Sequence, residues 1–142
     1  MRIGLDIHGV ITADPKLFAK LTHELILHNH TVHILTGVED CDRIRLELSK
    51  YGVTYTDLFS ITSYHKSIKT PIKYKNGDVT QPLIDDELWS ITKAHQCCAD
   101  KIDIYIDDSE TYGKYFHAID TQYILYNDSM KQFLTLLLRG LP

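Results

Sequence analysis

Residues 2–12 read Arg2-Ile3-Gly4-Leu5-Asp6-Ile7-His8-Gly9-Val10-Ile11-Thr12. Residues 2–7 are apolar on both faces, as a buried parallel strand requires, and a glycine turn follows Asp6 at once. Towards the other end, Ile102-Asp103-Ile104-Tyr105-Ile106 leads into Asp107-Asp108-Ser109. Two strands are therefore expected to deliver carboxylates at their C-terminal ends. In an open α/β sheet that is where loops converge, at the point where strand order reverses. Carboxylates crowded there raise each other's pKa or repel unless a cation joins them. Oxygen donors of this kind suit Mg²⁺, which takes one or two carboxylates and fills its shell with water and substrate phosphate. These residues point to metal-assisted phosphate chemistry.

The intervening chain fits the same plan. Asp14 can cap a helix and Pro15 open it, and Leu17, Phe18, Leu21, Leu25 and Ile26 recur at helical spacing up to about His28. Thr31-Val32-His33-Ile34-Leu35 reads as a second strand stopped by Thr36-Gly37, and Asp40 to Tyr51 as a second helix closed by Gly52. A third strand is expected over Leu58 to Thr62. From Ser63 to Asp85 the pattern breaks: Pro71 and Pro82 punctuate it, and Asn76-Gly77 has the local signature of a type I′ hairpin between residues 72–75 and 78–80. Residues 63–84 are expected to form a small hairpin flap, with substrate contacts from Tyr64, His65 and Lys66. Asp85 or Asp86 can cap a helix carrying Leu88, Trp89, Ile91, Thr92 and His95, with Trp89 read as core. A fourth strand follows over Ile102 to Ile106, then a short helix near Glu110 to His117, a fifth strand over Thr121 to Tyr126 and a helix from Asp128 to Leu138. Strands alternating with helices imply an α/β fold with a mostly parallel sheet covered on both faces and right-handed crossovers.

The length of 142 residues suits one domain, over residues 1–142, and no Pro/Gly/Ser-rich linker divides it. With 44% hydrophobic and 24% charged residues and a formal net charge of −4, the composition is ordinary and carries no basic footprint for an extended nucleic-acid surface. No apolar run approaches the roughly 18 residues of a membrane span, and the first residues form a strand pattern instead of a leader. A cytoplasmic location is expected. Cys41, Cys97 and Cys98 are odd in number and lack CxxC spacing, so reduced thiols are expected. A helix end, a turn and a strand start scatter the rings of His28, His30 and His33, which argues against a metal site built from those three.

The chain resembles the haloacid dehalogenase-like hydrolase superfamily, whose phosphatases carry four short motifs on a Rossmann-like sheet. Asp6-Ile7-His8-Gly9-Val10-Ile11 resembles the first motif, Ile34-Leu35-Thr36-Gly37 the second, and Ile106-Asp107-Asp108-Ser109 the acidic fourth. Lys93 is the candidate for the third, with Lys66, Lys69 and Lys101 as rivals. The resemblance implies a three-layer sandwich with strand order 3-2-1-4-5, which sets residues 6, 36 and 107–108 side by side. It implies Asp6 as the nucleophile that forms an aspartyl-phosphate. Mg²⁺ would sit between Asp6, the backbone carbonyl of His8 and Asp108, with Asp107 binding through water or orienting the others. Thr36 and Gly37 would hold the phosphoryl oxygens, and Lys93 would balance the accumulated negative charge.

Position 8 departs from the family pattern, in which it is usually an aspartate that protonates the leaving group and then activates water. Imidazole can both give and accept a proton near neutral pH, so His8 can in principle take that role. The expected activity is removal of phosphate from a small phosphomonoester, a nucleotide or sugar phosphate being reasonable, with reach to bulky substrates because the flap is small. The alternatives are a catalytically silent relative that binds a phosphorylated metabolite or a protein, and a phosphotransferase.

Overall fold

The computed structural model describes residues 1–141. Five parallel strands form the central sheet: β1 (Arg2–Leu5), β2 (Thr31–Thr36), β3 (Asp57–Ser60), β6 (Ile104–Asp107) and β7 (Gln122–Leu125). Their order is β3-β2-β1-β6-β7. This is the expected 3-2-1-4-5 order, since a two-stranded hairpin of β4 (Lys73–Tyr74) and β5 (Pro82–Leu83) intervenes in the chain. The helices are α1 (Pro15–Leu27), α2 (Asp42–Tyr51), α3 (Ile61–Ser67), α4 (Asp86–Ala99), α5 (Glu110–Gly113) and α6 (Asp128–Arg139). The result is a Rossmann-like α/β sandwich with a small hairpin.

Each face of the sheet has its own apolar cluster. On one, Leu5, Val32 and Ile34 pack with Phe18 of α1, Leu48 of α2 and Leu134 of α6; on the other, Leu35 and Tyr105 pack with Ala94 and Cys97 of α4. Alternation along β2 sends Val32 and Ile34 to one cluster and Leu35 to the other, which is why that strand carries apolar residues on both faces. Burying a side chain such as Phe18 contributes about 1.5–3 kcal/mol, so these two layers hold the strand ends in register. Cys41, Cys97 and Cys98 are unbridged. Among the described residues no helix is long and apolar enough to cross a membrane.

Helix starts follow the capping residues. Asp14, Asp85 and Asn127 accept the backbone N–H three residues on, at 3.2, 3.0 and 3.0 Å. α2 begins at Asp42 instead of Asp40, because Asp40 is taken by Arg45, whose Nε and Nη2 each donate to its carboxylate at 2.8 Å.

The largest departure from the sequence reading lies after β3. That strand ends at Ser60, whose hydroxyl accepts the Ser63 N–H at 3.0 Å, and helix α3 starts where a flap was expected. Asn76 and Gly77 do take positive φ (52° and 73°), and the Asp78 N–H donates to the Lys75 carbonyl at 2.9 Å, the turn their sequence predicts. Strand pairing does not follow directly, because Asp78 builds a second turn: its carboxylate accepts from the N–H and hydroxyl of Thr80 at 2.9 and 2.7 Å. The ladder therefore pairs Lys73 with Leu83 and Tyr74 with Pro82, across a longer loop.

His65 belongs to the fold and not to the flap. Thr92 donates its hydroxyl to the Leu88 carbonyl (2.6 Å), so its oxygen accepts from Nε2 of His65 (2.8 Å), leaving Nδ1 to accept from the Thr70 hydroxyl (2.9 Å). Burial lowers the pKa of this ring below its ordinary value of 6.5, and the folded chain holds it neutral. As pH falls, the unfolded chain takes up the proton first, so this contribution to stability diminishes from about pH 6.5 downward and levels off below the folded value. Melting temperature should drop less for His65→Gln than for the parent between about pH 7.5 and about pH 5.5. An equal drop in both proteins would exclude His65 as a titrating group.

Candidate active site

Because β2, β1 and β6 are neighbours, their C-terminal ends bring Thr36, Asp6 and Asp107 together from distant parts of the chain. Leu5 pairs with Ile34 on one side and Ile106 on the other, and the Asp6 N–H continues the ladder to the Ile106 carbonyl at 3.1 Å. Asp6 and Thr36 open into a cavity of about 260 Å³ that His8, Gly37 and Lys93 also line. Trp89, Tyr112, Val38, Thr80 and Pro82 complete its wall.

Helix α4 aims Lys93 into this cleft from the face of the sheet. Its Nζ lies 2.8 Å from Asp107 Oδ2 and 3.1 Å from Asp6 Oδ1, and the side chain is 3% exposed. None of Lys66, Lys69 or Lys101 lines the cavity. Tyr105 donates its hydroxyl to the same Asp107 oxygen at 2.6 Å, and the Ser109 N–H donates to the other at 3.0 Å. Lys93 also lies over the Tyr112 ring, 4.9 Å from its centre. Burial pushes the Asp6 carboxyl up, to about 6, with Lys93 pulling it down and Asp107 adding to the rise. Burial alone would lower the Lys93 pKa, but Asp6 and Asp107 overcome it and raise the ammonium above its ordinary value. Burial holds the Tyr105 phenol far above its usual range, so it remains a donor.

Asp6, Asp107 and Asp108 each present a carboxylate oxygen, all within 4.8 Å of one another. Gly9 makes the approach of Asp108 possible. Its φ is +87°, and a Cβ there would lie 2.0 Å from Asp108 Oδ2. The two adjacent aspartates are not equivalent. Asp107 is fully buried with both oxygens engaged by Lys93, Tyr105 and Ser109, as an orienting group would be, whereas Asp108 is exposed. The carbonyl of His8 belongs to the same turn as Gly9. An all-oxygen donor set of this geometry fits a hard divalent cation.

The remaining predicted residues divide. Thr36 is buried, with its hydroxyl oxygen accepting the Val38 N–H at 3.2 Å, and it lines the cavity with Gly37. A Cβ on Gly37 would lie 2.5 Å from Trp89, so the indole closes against bare backbone. Trp89, read from sequence as core, is only partly buried and forms cavity wall, its Nε1 donating to Tyr112 at 3.1 Å. His8 reaches the rim with a side chain 52% exposed, its Nε2 3.7 Å from Glu47 Oε1. The expected flap contacts are not at the cavity: Lys66 pairs with Glu39 at 2.7 Å, His65 is in the fold, and Tyr64 lines a different groove. Thr80 and Pro82 are the hairpin's contributions.

Tyr105 and Tyr112 were missed by the sequence reading. A signal for Tyr105 was present: two residues before Asp107 on a strand buried on both faces, its hydroxyl shares that carboxylate's side of the sheet. Nothing in the pattern marks Tyr112. The chain matches no protein-family model and no curated protein.

Lys93→Met should leave Asp6 and Asp107 without their buried cation. Removing one partner of such a pair costs about 3–5 kcal/mol, to be read from urea unfolding in the presence of a chelator. Tyr105→Phe, which takes away one hydrogen bond to a charged group, should cost only about 1.5–3 kcal/mol. Equal costs for the two would mean that Lys93 contributes packing and not charge.

Proposed function

We propose that this chain is a Mg²⁺-dependent phosphomonoester hydrolase of the haloacid dehalogenase-like type, acting through an aspartyl-phosphate at Asp6. The observation that carries this reading is the placement of Asp6 at a cavity floor, 3.1 Å from the buried ammonium of Lys93 and within 4.8 Å of the Asp107 and Asp108 oxygens. A carboxylate that only ended a turn would have no need of a fully buried lysine. Asp6, the His8 carbonyl and Asp108 would hold Mg²⁺, which when bound neutralises phosphate charge and polarises the phosphoryl group.

In the first step a carboxylate oxygen of Asp6 attacks phosphorus and the ester P–O bond breaks. The leaving alkoxide takes a proton from the His8 imidazolium. In the second, water attacks phosphorus and yields a proton to the neutral His8 ring. The Asp6–phosphate bond then breaks and restores the carboxylate. Thr36 and the backbone at Gly37 offer donors to phosphoryl oxygens, and Lys93 offsets the charge gathered at Asp6 and the phosphate. Trp89 and Pro82 shield one side from water. The substrate class that suits so open a cavity is a phosphorylated metabolite, a nucleotide or sugar phosphate among them.

The position of His8 favours a second reading. Its ring lines the cavity but is half exposed, with Nε2 3.7 Å from Glu47 Oε1. Poorly held proton transfer would slow water attack and let an acceptor hydroxyl take the phosphoryl group, which is the phosphotransferase alternative.

Asp6→Asn should abolish turnover, while Asp108→Asn should mainly raise the Mg²⁺ concentration needed, both measured on a panel of phosphorylated metabolites. Chelator-resistant activity, or normal turnover by Asp6→Asn, would sink the mechanism. His8→Ala should slow hydrolysis by roughly 10²- to 10⁴-fold, the usual worth of a general acid or base. A rate unchanged by His8→Ala would remove His8 from proton transfer, and a gain in hydrolysis for His8→Asp would support the phosphotransferase.

A further inference from the structure

We infer that His33, Asp57 and Asp100 form a second divalent-cation site, of the zinc class, separate from the phosphate cavity. The register pairs His33 of β2 directly with Asp57 of β3, so their side chains stand on the same face, and Asp100 caps the end of α4 beside them. One ligand atom from each lies within 4.8 Å of the other two.

The independent observation is on His33. The residue is 5% exposed, and its buried Nδ1 has no hydrogen-bond partner among the described residues. Its other nitrogen, Nε2, bonds the Thr31 hydroxyl at 3.0 Å. The Thr31 hydroxyl can accept from Nε2, and with the proton there Nδ1 carries a lone pair that faces Asp57 Oδ2 at 3.8 Å, free to bind a cation. Asp100 is steadied by Gln96, whose Nε2 donates to its Oδ2 at 2.7 Å. In that tautomer the lone pair and the neighbouring carboxylate oxygens repel one another, and a cation between them turns the repulsion into attraction. A histidine whose second nitrogen is anchored, set beside two oriented carboxylates, is the form in which zinc-class sites hold their ligands.

The donor set chooses the ion. One imidazole nitrogen with two carboxylate oxygens suits zinc and its neighbours, whereas Mg²⁺ prefers oxygen alone. Asp57, whose side chain is 62% exposed, leaves one side open for water to complete the shell. Position in the fold keeps this site apart from the first. His33 precedes Thr36 by about 10 Å of strand, and Asp100 follows Lys93 by about 10 Å of helix. An ion here would tie β2 and β3 to the end of the helix that carries Lys93.

The test is calorimetric titration of Zn²⁺ into the full chain carrying Asp108→Asn, in excess Mg²⁺, so that the carboxylates of the phosphate cavity contribute little. One zinc site is expected. Its affinity should fall about tenfold or more on adding His33→Gln, at least the loss typical of a disturbed zinc shell, and should not change on adding His30→Gln. Asp57→Asn, at an exposed position, should produce the same loss without risk to folding. The inference is overturned if the chain binds no zinc, or if His33→Gln and Asp57→Asn bind it as tightly as the parent. Either result would leave a proton shared between His33 and Asp57 as the occupant of that space.

Discussion

The buried ammonium of Lys93 is the constraint around which the rest of the cleft is arranged. Two carboxylates at adjacent strand ends, Asp6 and Asp107, sit 8% and 0% exposed, and without a counter-charge one of them would have to be protonated. Lys93 supplies the charge, Tyr105 and Ser109 fill the remaining lone pairs of Asp107, and Tyr112 offers a ring face to the ammonium. Such an arrangement is a poor way to gain stability, because the desolvation of three charged groups offsets most of their attraction. An apolar core at this position would be at least as stable. What the ions give instead is a carboxylate that is buried, oriented and next to a cation, the arrangement that the proposed attack on a phosphate ester would use.

How much of this was legible in the chain depended on whether a feature is local. Alternation of strand and helix pointed to a mostly parallel sheet, while the strand order, and with it the meeting of residues 6, 36 and 107, was implied by the resemblance that the motifs carry. Caps at Asp14 and Asp85 were readable because a carboxylate before an apolar helical repeat has one obvious partner. The segment after Ser60 was not, since α3 is only Ile61–Ser67 and is stabilised by tertiary contacts: His65 reaches across to Thr92 of α4, a partner that local propensity does not reveal. The hairpin formed, but its ladder lies further from the turn than the sequence suggests. Asn76-Gly77 made its turn, but Asp78 used its carboxylate for a second one and displaced the ladder.

Within the cleft the same distinction separates Asp107 from Asp108. In sequence they are twin carboxylates, and either could bind a cation. The strand's alternation turns Asp107 into the sheet beside Tyr105, while Asp108 lies beyond the last paired residue and swings against Gly9. Their difference is therefore geometric and comes from where β6 ends. The division of work in the proposed mechanism, one aspartate holding Lys93 and the other holding Mg²⁺, rests on that single residue of register.

Cavity size bears on the substrate as much as its chemistry does. At about 260 Å³ the space lies slightly below the range usual for pockets that enclose a whole small-molecule ligand. Its polar groups, Asp6, Thr36 and Lys93, gather at the floor, and the hairpin reaches over only with Thr80 and Pro82. In the proposed reaction, recognition in a site so divided would fall on the phosphoryl group, and the leaving group would meet the cavity wall at Trp89 and Tyr112 and extend beyond it. Binding energy from the leaving group is then small, so substrates of different size would be distinguished weakly. Discrimination would have to come from the aromatic wall, where a flat group gains from contact with the indole and a branched one does not. If the proposed activity holds, the shape of the cleft by itself argues for loose preference in the leaving group.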